Sequence, residues 1–340
     1  MTFELQWGDP ADAALRAAFA RPGERSGAPA DADPTDGAIA LGLALRGGEP
    51  LARASLWLAD DLAGAPGRSG LVGHYASLEG GAGVALLHAA HDGLAARGAV
   101  RVLGPINGST WRRYRLELPR EAGDPDVRPD GFASEPRNPA RYPEEFAAAG
   151  FEVVARYESR IELDVRPDDA HAAARERARA HGMRMHALDS ARFEPTLVAM
   201  HAMSLEAFAA NPYYAPLPRE EFLALYAPFR ERVVPSLVRL ATGPDGALAG
   251  YLFGYVDPLG IVDGRPLRTV CKTVAVAPHA RSAGLGGLLL EDFRVATRAL
   301  GIPGMIHALM HVSNASMRMS ARHHSVPFKR YALFGRGPRP

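Results

Sequence analysis

The stretch Val274-Ala-Val-Ala-Pro-His-Ala-Arg281-Ser-Ala-Gly284-Leu-Gly286-Gly287-Leu-Leu-Leu290 holds the residues best suited to chemistry, because it reads as a strand, a glycine-bearing turn and a helix start. At a helix start the first amide N–H groups have no intrahelical partner, and the macrodipole adds positive potential. Main chain there can grip a pyrophosphate. The glycines let a phosphate approach closely, and Arg281 sets a fork of donors at the mouth of the turn. A dinucleotide fingerprint is disfavoured, since Gly284-Leu-Gly286 lacks the third glycine, and a Walker loop is excluded by the missing Gly-Lys-Ser/Thr. The plain alternative is a glycine turn that only packs helix on sheet.

Two histidines stand close by in sequence. His307 and His311 flank the end of the strand predicted over Gly304 to Met310, and imidazole titrates in the range useful to a general base. Packing or hydrogen bonding is the alternative role for each. As a metal pair they lack a cysteine and an obvious third ligand, so no metal is expected. Cys271 lies on the motif strand, where a buried thiol behaves mostly as a small hydrophobe.

These groups need elements to position them. Leu267 to Val276 is apolar and β-branched and closes at Pro278, as a buried strand does. Leu285, Leu288, Leu289, Phe293, Ala296 and Leu300 recur at helical spacing before Gly301, which predicts one amphipathic helix over Gly284 to Leu300. The second half continues the theme with strands at 183–188, 236–241 and 247–256, helices at 192–208 and 219–229, a last helix near Ser316 and a strand at 328–334. In the first half, strands at 38–45, 51–58 and 70–77, a helix through Val84, Leu87, His91 and Leu94, and a strand over Val100 to Ile106 form a strand-helix-strand unit. Proline- and glycine-rich loops are expected at 21–37 and 119–142.

At 340 residues the chain suits two domains. Hydrophobic content of 47% and charged content of 23% are those of an ordinary globular protein. A net charge of +1 leaves no broad footprint for nucleic acid or an anionic membrane. The single cysteine rules out an internal disulfide and a cysteine-based zinc site, and the start of the chain reads as neither signal peptide nor membrane span. A cytoplasmic monomer or homodimer is expected.

Arg281, Gly284 and Gly286 match Arg/Gln-x-x-Gly-x-Gly/Ala in the order strand, loop, helix, and so the chain resembles the GNAT superfamily of N-acetyltransferases. The resemblance is strong over 183–335. It is weaker before that, where a helix, Ala-Gly-Phe151 and a strand from Glu152 to Leu163 look like the end of a second such unit. It implies an α/β (α+β) fold of two tandem GNAT-like domains, each a mixed, mostly antiparallel twisted sheet with a central splayed parallel pair flanked by helices. The divisions expected are a degenerate domain at 1–165, an exposed linker helix at 166–182 and a catalytic domain at 183–340. The first copy reads Leu78-Glu-Gly-Gly-Ala-Gly83 at its turn, where Glu79 repels phosphate.

By resemblance, Val274, Ala275, Val276, Arg281, Ser282, Ala283, Gly284, Leu285, Gly286, Gly287 and Asn314 bind acetyl-CoA. Backbone at Val274 and Val276 then serves as an oxyanion hole. Many members carry a tyrosine acid seven residues after the asparagine, but Ala321 stands there. Ser316, Ser320, Tyr331 and solvent are the substitutes. The connection carrying Asn211, Tyr213 and Tyr214 usually shapes the acceptor site in such folds. Asn107-Gly-Ser-Thr-Trp111-Arg-Arg-Tyr-Arg115 reads as a solvated strand edge with one buried tryptophan, or else as a reader of an acidic or planar group in the interdomain cleft. The implied activity is acetyl transfer from acetyl-CoA to a small-molecule or peptide amine by direct attack in a ternary complex, with no nucleic acid and no membrane involved. A non-catalytic acyl-CoA-binding regulator and a tandem aminoacyltransferase using charged tRNA are the alternatives.

Overall fold

The computed structural model describes residues 2–27, 37–168, 171–278 and 284–337. Its first half runs β1 (Glu4–Gly8), α1 (Ala13–Ser26), β2 (Ala40–Arg46), β3 (Glu49–Ala59), β4 (Ser69–Ser77), α2 (Gly80–Ala95), β5 (Arg101–Gly104), β6 (Leu116–Glu117), α3 (Tyr142–Ala148) and β7 (Glu152–Glu162). After α4 (Ala172–Ala180) come β8 (Arg184–Ala187), α5 (Phe193–Ala207), α6 (Arg219–Tyr226), β9 (Val238–Thr242) and β10 (Leu248–Val256). The chain closes with a small hairpin, β11 (Ile261–Val262) and β12 (Arg265–Pro266), then β13 (Arg268–Val276), α7 (Leu285–Ala299), β14 (Gly304–His311), α8 (Ala315–Ala321) and β15 (Val326–Arg336). Among the described residues no helix is long and apolar enough to cross a membrane.

One 13-stranded sheet spans both halves, in the order β1-β2-β3-β4-β5-β15-β7-β14-β13-β10-β9-β8, with β6 on β15. The final strand of each half lies inside the other half's sheet. β7 pairs with β14 and β15, whereas β15 pairs with β7 and β5. The sequence reading had each half closing with its own last strands. Alternating side chains mark which face of a strand is buried but say nothing about which ladder it joins, so this exchange has no local signature.

Helix α7 is built as its periodicity predicts: Leu285, Leu288, Leu289 and Phe293 are fully buried against the sheet. Gly254 and Gly250 of β10 leave the room, because a Cβ at 254 would collide with the Phe293 ring and one at 250 would crowd Leu289 at 3.0 Å. One expectation fails in the helical layers. The stretch from Arg21 to Ser26 belongs to α1, which tolerates Pro22 and ends at Gly27 in the left-handed region (φ 68); 28–36 lie outside the described residues. Helix α4 is exposed along most of its length, as expected of a connecting helix, and docks by one side, where Ala178 is buried and Arg175 pairs with Asp292 of α7 at 3.0 Å.

The parallel pair β13–β14 positions the site. Its register runs from Arg268↔Gly304 to Cys271↔His307 and stops. On the other edge of β13 the ladder with β10 shifts between Phe253↔Thr273 and Gly254↔Cys271, leaving Lys272 as the extra, bulged residue. Past that bulge the edge of β13 facing β14 has no strand partner among the described residues, and the two strands splay.

The equivalent pair of the first half, β4 and β5, also stops pairing early, after Leu71↔Leu103. There the gap is filled by the chain itself: Ile106 N–H donates to Val72 O (2.8 Å) and His74 N–H to Asn107 Oδ1 (2.8 Å). The start of α2 is filled too. Glu145 accepts hydrogen bonds from Tyr75 and from Ser77 Oγ, with its carboxylate beneath Gly80 and Gly83, while Glu79 holds Arg46 at 2.7 Å. Internal carboxylates thus take the place where a helix start attracts an anion.

Candidate functional site

Two cavities meet at the splay. The first, of about 330 Å³, lies between the halves, with an aromatic wall of Trp111, Tyr114, Tyr157, Phe208, Tyr214 and Tyr226. The second, of about 1120 Å³, is a cleft running along the first turn of α7 under α4. Val274, Asn211, Asn314, Ser316, Phe208 and Met319 line both, so they are joined beside the free edge of β13.

At the vertex, His307 is nearly fully buried and lines the first cavity. Its Nε2 lies 2.9 Å from Glu162 Oε1. Arg294 donates from Nε and Nη2 to the same carboxylate (3.0–3.2 Å) and also to Glu291. With Glu162 ionised, Nε2 carries the proton and donates it, so Nδ1 keeps the lone pair; that nitrogen has no protein partner among the described residues. Burial alone would raise the Glu162 pKa, but His307 and Arg294 hold the carboxyl below its ordinary value of 4.5.

Removing that carboxylate leaves a buried guanidinium unpaired on this side. Glu162→Gln is expected to cost about 3–5 kcal/mol in denaturant unfolding. Because the folded pKa is depressed, the stabilisation is complete above pH 4.5 and is lost as the pH falls through the folded value. The difference between variant and parent should therefore narrow only in acid, and a gap that stays constant down to pH 3 would contradict the ion-pair account.

His311 sits differently. Its ring meets Tyr157 edge-on with centroids 5.1 Å apart, and its Nδ1 accepts from Ser313 N–H (3.2 Å) and contacts Ser313 Oγ (2.7 Å). Burial, with Arg115 nearby, lowers its pKa, so the ring is neutral at pH 7. An acceptor at Nδ1 places the proton on Nε2. His311 is a donor to the cavity, whereas His307 has the free lone pair.

The two cations of the first cavity, Lys272 and Arg115, went partly unread in the sequence. Lys272, the bulged residue, lies 5.6 and 5.8 Å from the Tyr226 and Phe229 ring centres, and burial lowers its pKa. The only signal was a lone lysine inside an apolar strand. Arg115 is buried between the faces of Tyr114 (3.8 Å) and Tyr157 (4.2 Å), donates to Leu309 O and leaves its Nε unpartnered. Thr110, Trp111, Tyr114 and Arg115 thus line the cavity and this segment is not simply a solvated edge; Trp111 Nε1 donates to Ala215 O across the halves (3.0 Å). Among the described residues no Asp or Glu lines this cavity.

On the cleft side, Gly284 caps α7 in the left-handed region (φ 73) and its carbonyl accepts from Gly287 and Leu288. The amides of Leu285 and Gly286 precede the first intrahelical bond. Gly284, Gly286, Gly287, Val274, Ala275 and Val276 line the cleft, while the Leu285 side chain is core. The glycines also serve packing: a Cβ on Gly286 would meet Met319 Sδ at 3.1 Å, and one on Gly287 would meet His171 Cε1 at 3.1 Å. Arg166, Arg177 and Arg322 make this wall positive, Arg177 standing 3.9 Å from where a Cβ of Gly284 would be. Arg281, Ser282 and Ala283 lie outside the described residues. Asn314 is the N-cap of α8.

Three candidates from the sequence stand away from both cavities. Ser320 is buried with its Oγ on Ser325 Oγ (2.9 Å), because it points to the inner side of the short α8. Tyr331 lies in the core of the exchanged β15 and donates to Glu135. Tyr213 turns to the first half, where its N–H donates to Ala63 O (2.7 Å). Ser316, by contrast, reaches both cavities. Cys271 lines the first cavity, but burial and then Glu162 push its thiol up to about 12, which removes it as a nucleophile.

No protein-family model matches the sequence, and no curated protein matches it. Solved structures do match in fold. A GCN5-related N-acetyltransferase from Sphaerobacter thermophilus is similar over 99% of this chain and 96% of its own, at 18% identity and a TM-score of 0.50. A tandem GNAT protein from the clavulanic acid biosynthesis pathway is similar over 100% and 99%, at 15% identity and a TM-score of 0.52. A glucosamine N-acetyltransferase region of a fungal multi-domain β-N-acetylglucosaminidase aligns with 98% of this chain at 13% identity and a TM-score of 0.55, and the chain spans 38% of that longer protein.

Proposed function

The chain has the tandem fold of the GCN5-related N-acetyltransferases, and from it we propose an acyl-CoA-dependent N-acyltransferase that moves an acetyl group from acetyl-CoA to the amine of a carboxylate-bearing small molecule or peptide. The carrying observation is the join between a positive cleft at the start of α7 and an acid-free aromatic cavity, made along the unpaired edge of β13. The residues fit the cosubstrate. Unpartnered amides of Leu285 and Gly286, with Arg177 and Arg322, suit phosphates, and bound acetyl-CoA supplies the thioester carbonyl at the join.

The chain's own groups then divide the work. An alkylamine of pKa about 10 must lose a proton before it can attack, and His307 Nδ1 takes it while Glu162 stabilises the imidazolium. The nitrogen forms its bond to the carbonyl carbon as the carbon–sulfur bond breaks. Backbone amides on the free edge of β13 and the Nε2–H of His311 face developing negative charge. The leaving thiolate corresponds to a thiol of pKa about 8.5, a tolerable anion near neutrality, and Ser316 or solvent protonates it. The absence of a tyrosine at Ala321 is therefore no barrier.

Calorimetry with acetyl-CoA tests the cleft. Arg177 is exposed on α4, so Arg177→Glu changes charge without disturbing packing, and the loss of a charge-assisted contact should weaken binding about 10-fold or more. Unchanged affinity in the variant would remove the cleft assignment, and no heat with any acyl-CoA would remove the proposal.

A further inference from the structure

Away from the reacting cavity, four ligand-type side chains gather at the far wall of the cleft, which Asp168, His171 and His323 line and behind which Glu291 is buried. Asp168 and His171 come from the approach to α4, Glu291 from α7 and His323 from just beyond α8. One donor atom of each lies within 4.8 Å of the others. His323 Nδ1 is 3.2 Å from Asp168 Oδ2, and His171 Nε2 is 3.9 Å from the same oxygen. The two imidazoles stack with centroids 5.4 Å apart.

One detail separates this group from an ordinary polar cluster. The His323 side chain is 1% exposed, yet its Nδ1 has no hydrogen-bond partner, the nearby carboxylate lying off the direction a hydrogen bond requires. Native proteins rarely leave such an atom orphaned, since the cost is about 1–3 kcal/mol. A buried nitrogen facing two carboxylates and a second imidazole has the donor set of a cation site.

We propose that Asp168, His171, Glu291 and His323 bind one divalent transition-metal ion, with zinc the best match for two imidazole nitrogens and two carboxylate oxygens. This departs from the sequence expectation of no metal, which considered only His307 and His311. Arg294 and Arg298 approach Glu291, with Arg294 shared with Glu162, and Arg166, Arg177 and Arg322 line the same cleft, so the ion would be held by its four ligand atoms and not by an excess of negative charge. Bonds of about 2.1 Å in a tetrahedron put ligand atoms about 3.4 Å apart, so the widest pair closes by about 1.4 Å. Asp168 and His171 are partly exposed and have the room to move inward. The ion would clamp the approach to α4 onto α7, beside the glycine turn, and so hold the outer wall of the cleft.

The test is made on the full chain stripped with a chelator, without acyl-CoA, so its outcome is independent of the proposed transferase activity. Titration with zinc chloride should show one equivalent bound at micromolar Kd or tighter, with a raised Tm. His171→Ala and Asp168→Asn should each weaken that event at least about 10-fold, and His323→Ala should abolish it. Should the buried His323 variant fail to fold, the two partly exposed positions decide. A His181→Ala/His186→Ala variant, which removes exposed imidazoles elsewhere, should bind as the parent does. Absence of a one-equivalent event, or its survival in His171→Ala and Asp168→Asn, would overturn the site.

Discussion

Replacing His307 with asparagine is expected to lower kcat by about 10²–10⁴, the usual worth of a positioned general base. The reasoning rests on which nitrogen is free. Glu162, clamped by two donors of Arg294, accepts the Nε2–H hydrogen bond of His307 at 2.9 Å and so leaves Nδ1 as the lone-pair atom at the vertex of the splay. His311 cannot substitute, because Ser313 N–H already occupies its Nδ1. The loss should fall on kcat, with acetyl-CoA affinity changed by less than about twofold, since an interaction made only at the reacting amine leaves cosubstrate binding untouched. Calorimetry and steady-state rates on the same preparation separate the two. A variant that keeps kcat within about threefold of the parent would show that the proton goes elsewhere.

Acceptors that carry a carboxylate are expected to outperform their amides by about 10- to 150-fold in kcat/KM, the range that hydrogen bonds to a charged group supply. Lys272 and Arg115 are the cause. Arg115 is buried and Lys272 half-buried in the wall of the first cavity, neither pairs with an acid among the described residues, and Arg115 has an orphaned Nε. Burying a cation without a counter-charge is costly, and the lowered Lys272 pKa records that cost. A bound carboxylate restores the missing partner. Lys272→Met and Arg115→Met should each erase most of the preference by raising KM for the acid while leaving the amide unchanged. Equal turnover of acid and amide by the parent protein would sink the assignment. Polyamines should be poor acceptors for the same electrostatic reason, since like charges in a desolvated cavity repel strongly.

The site was legible where its chemistry is local. The strand Arg268–Val276 and the helix Leu285–Ala299 follow the sequence reading closely, because apolar periodicity and glycine placement act over a few residues. Ser320 and Tyr331 were misjudged as cavity residues for a different reason. Their exposure depends on how α8 and β15 pack, and a hydroxyl in either place has the same sequence neighbours whether it faces solvent or core. Lys272 was passed over because the bulge that turns it out is set by the register against β10, some twenty residues away in the chain.

What the sequence determined alone is most of the strands and helices around the site, the glycine that opens α7 and the acid, Glu79, at the matching turn of the first half, all consequences of backbone preference and short-range pattern. Tertiary structure decided the partners. The exchange of β7 and β15, the meeting of Glu162 with His307 across 145 positions, the turn of Trp111 and Arg115 into the cleft, and the gathering of Asp168, His171, Glu291 and His323 all rest on long-range contacts. Such contacts follow from the packing of whole faces and the pairing of strand edges, and these leave no periodic trace in the residues that make them.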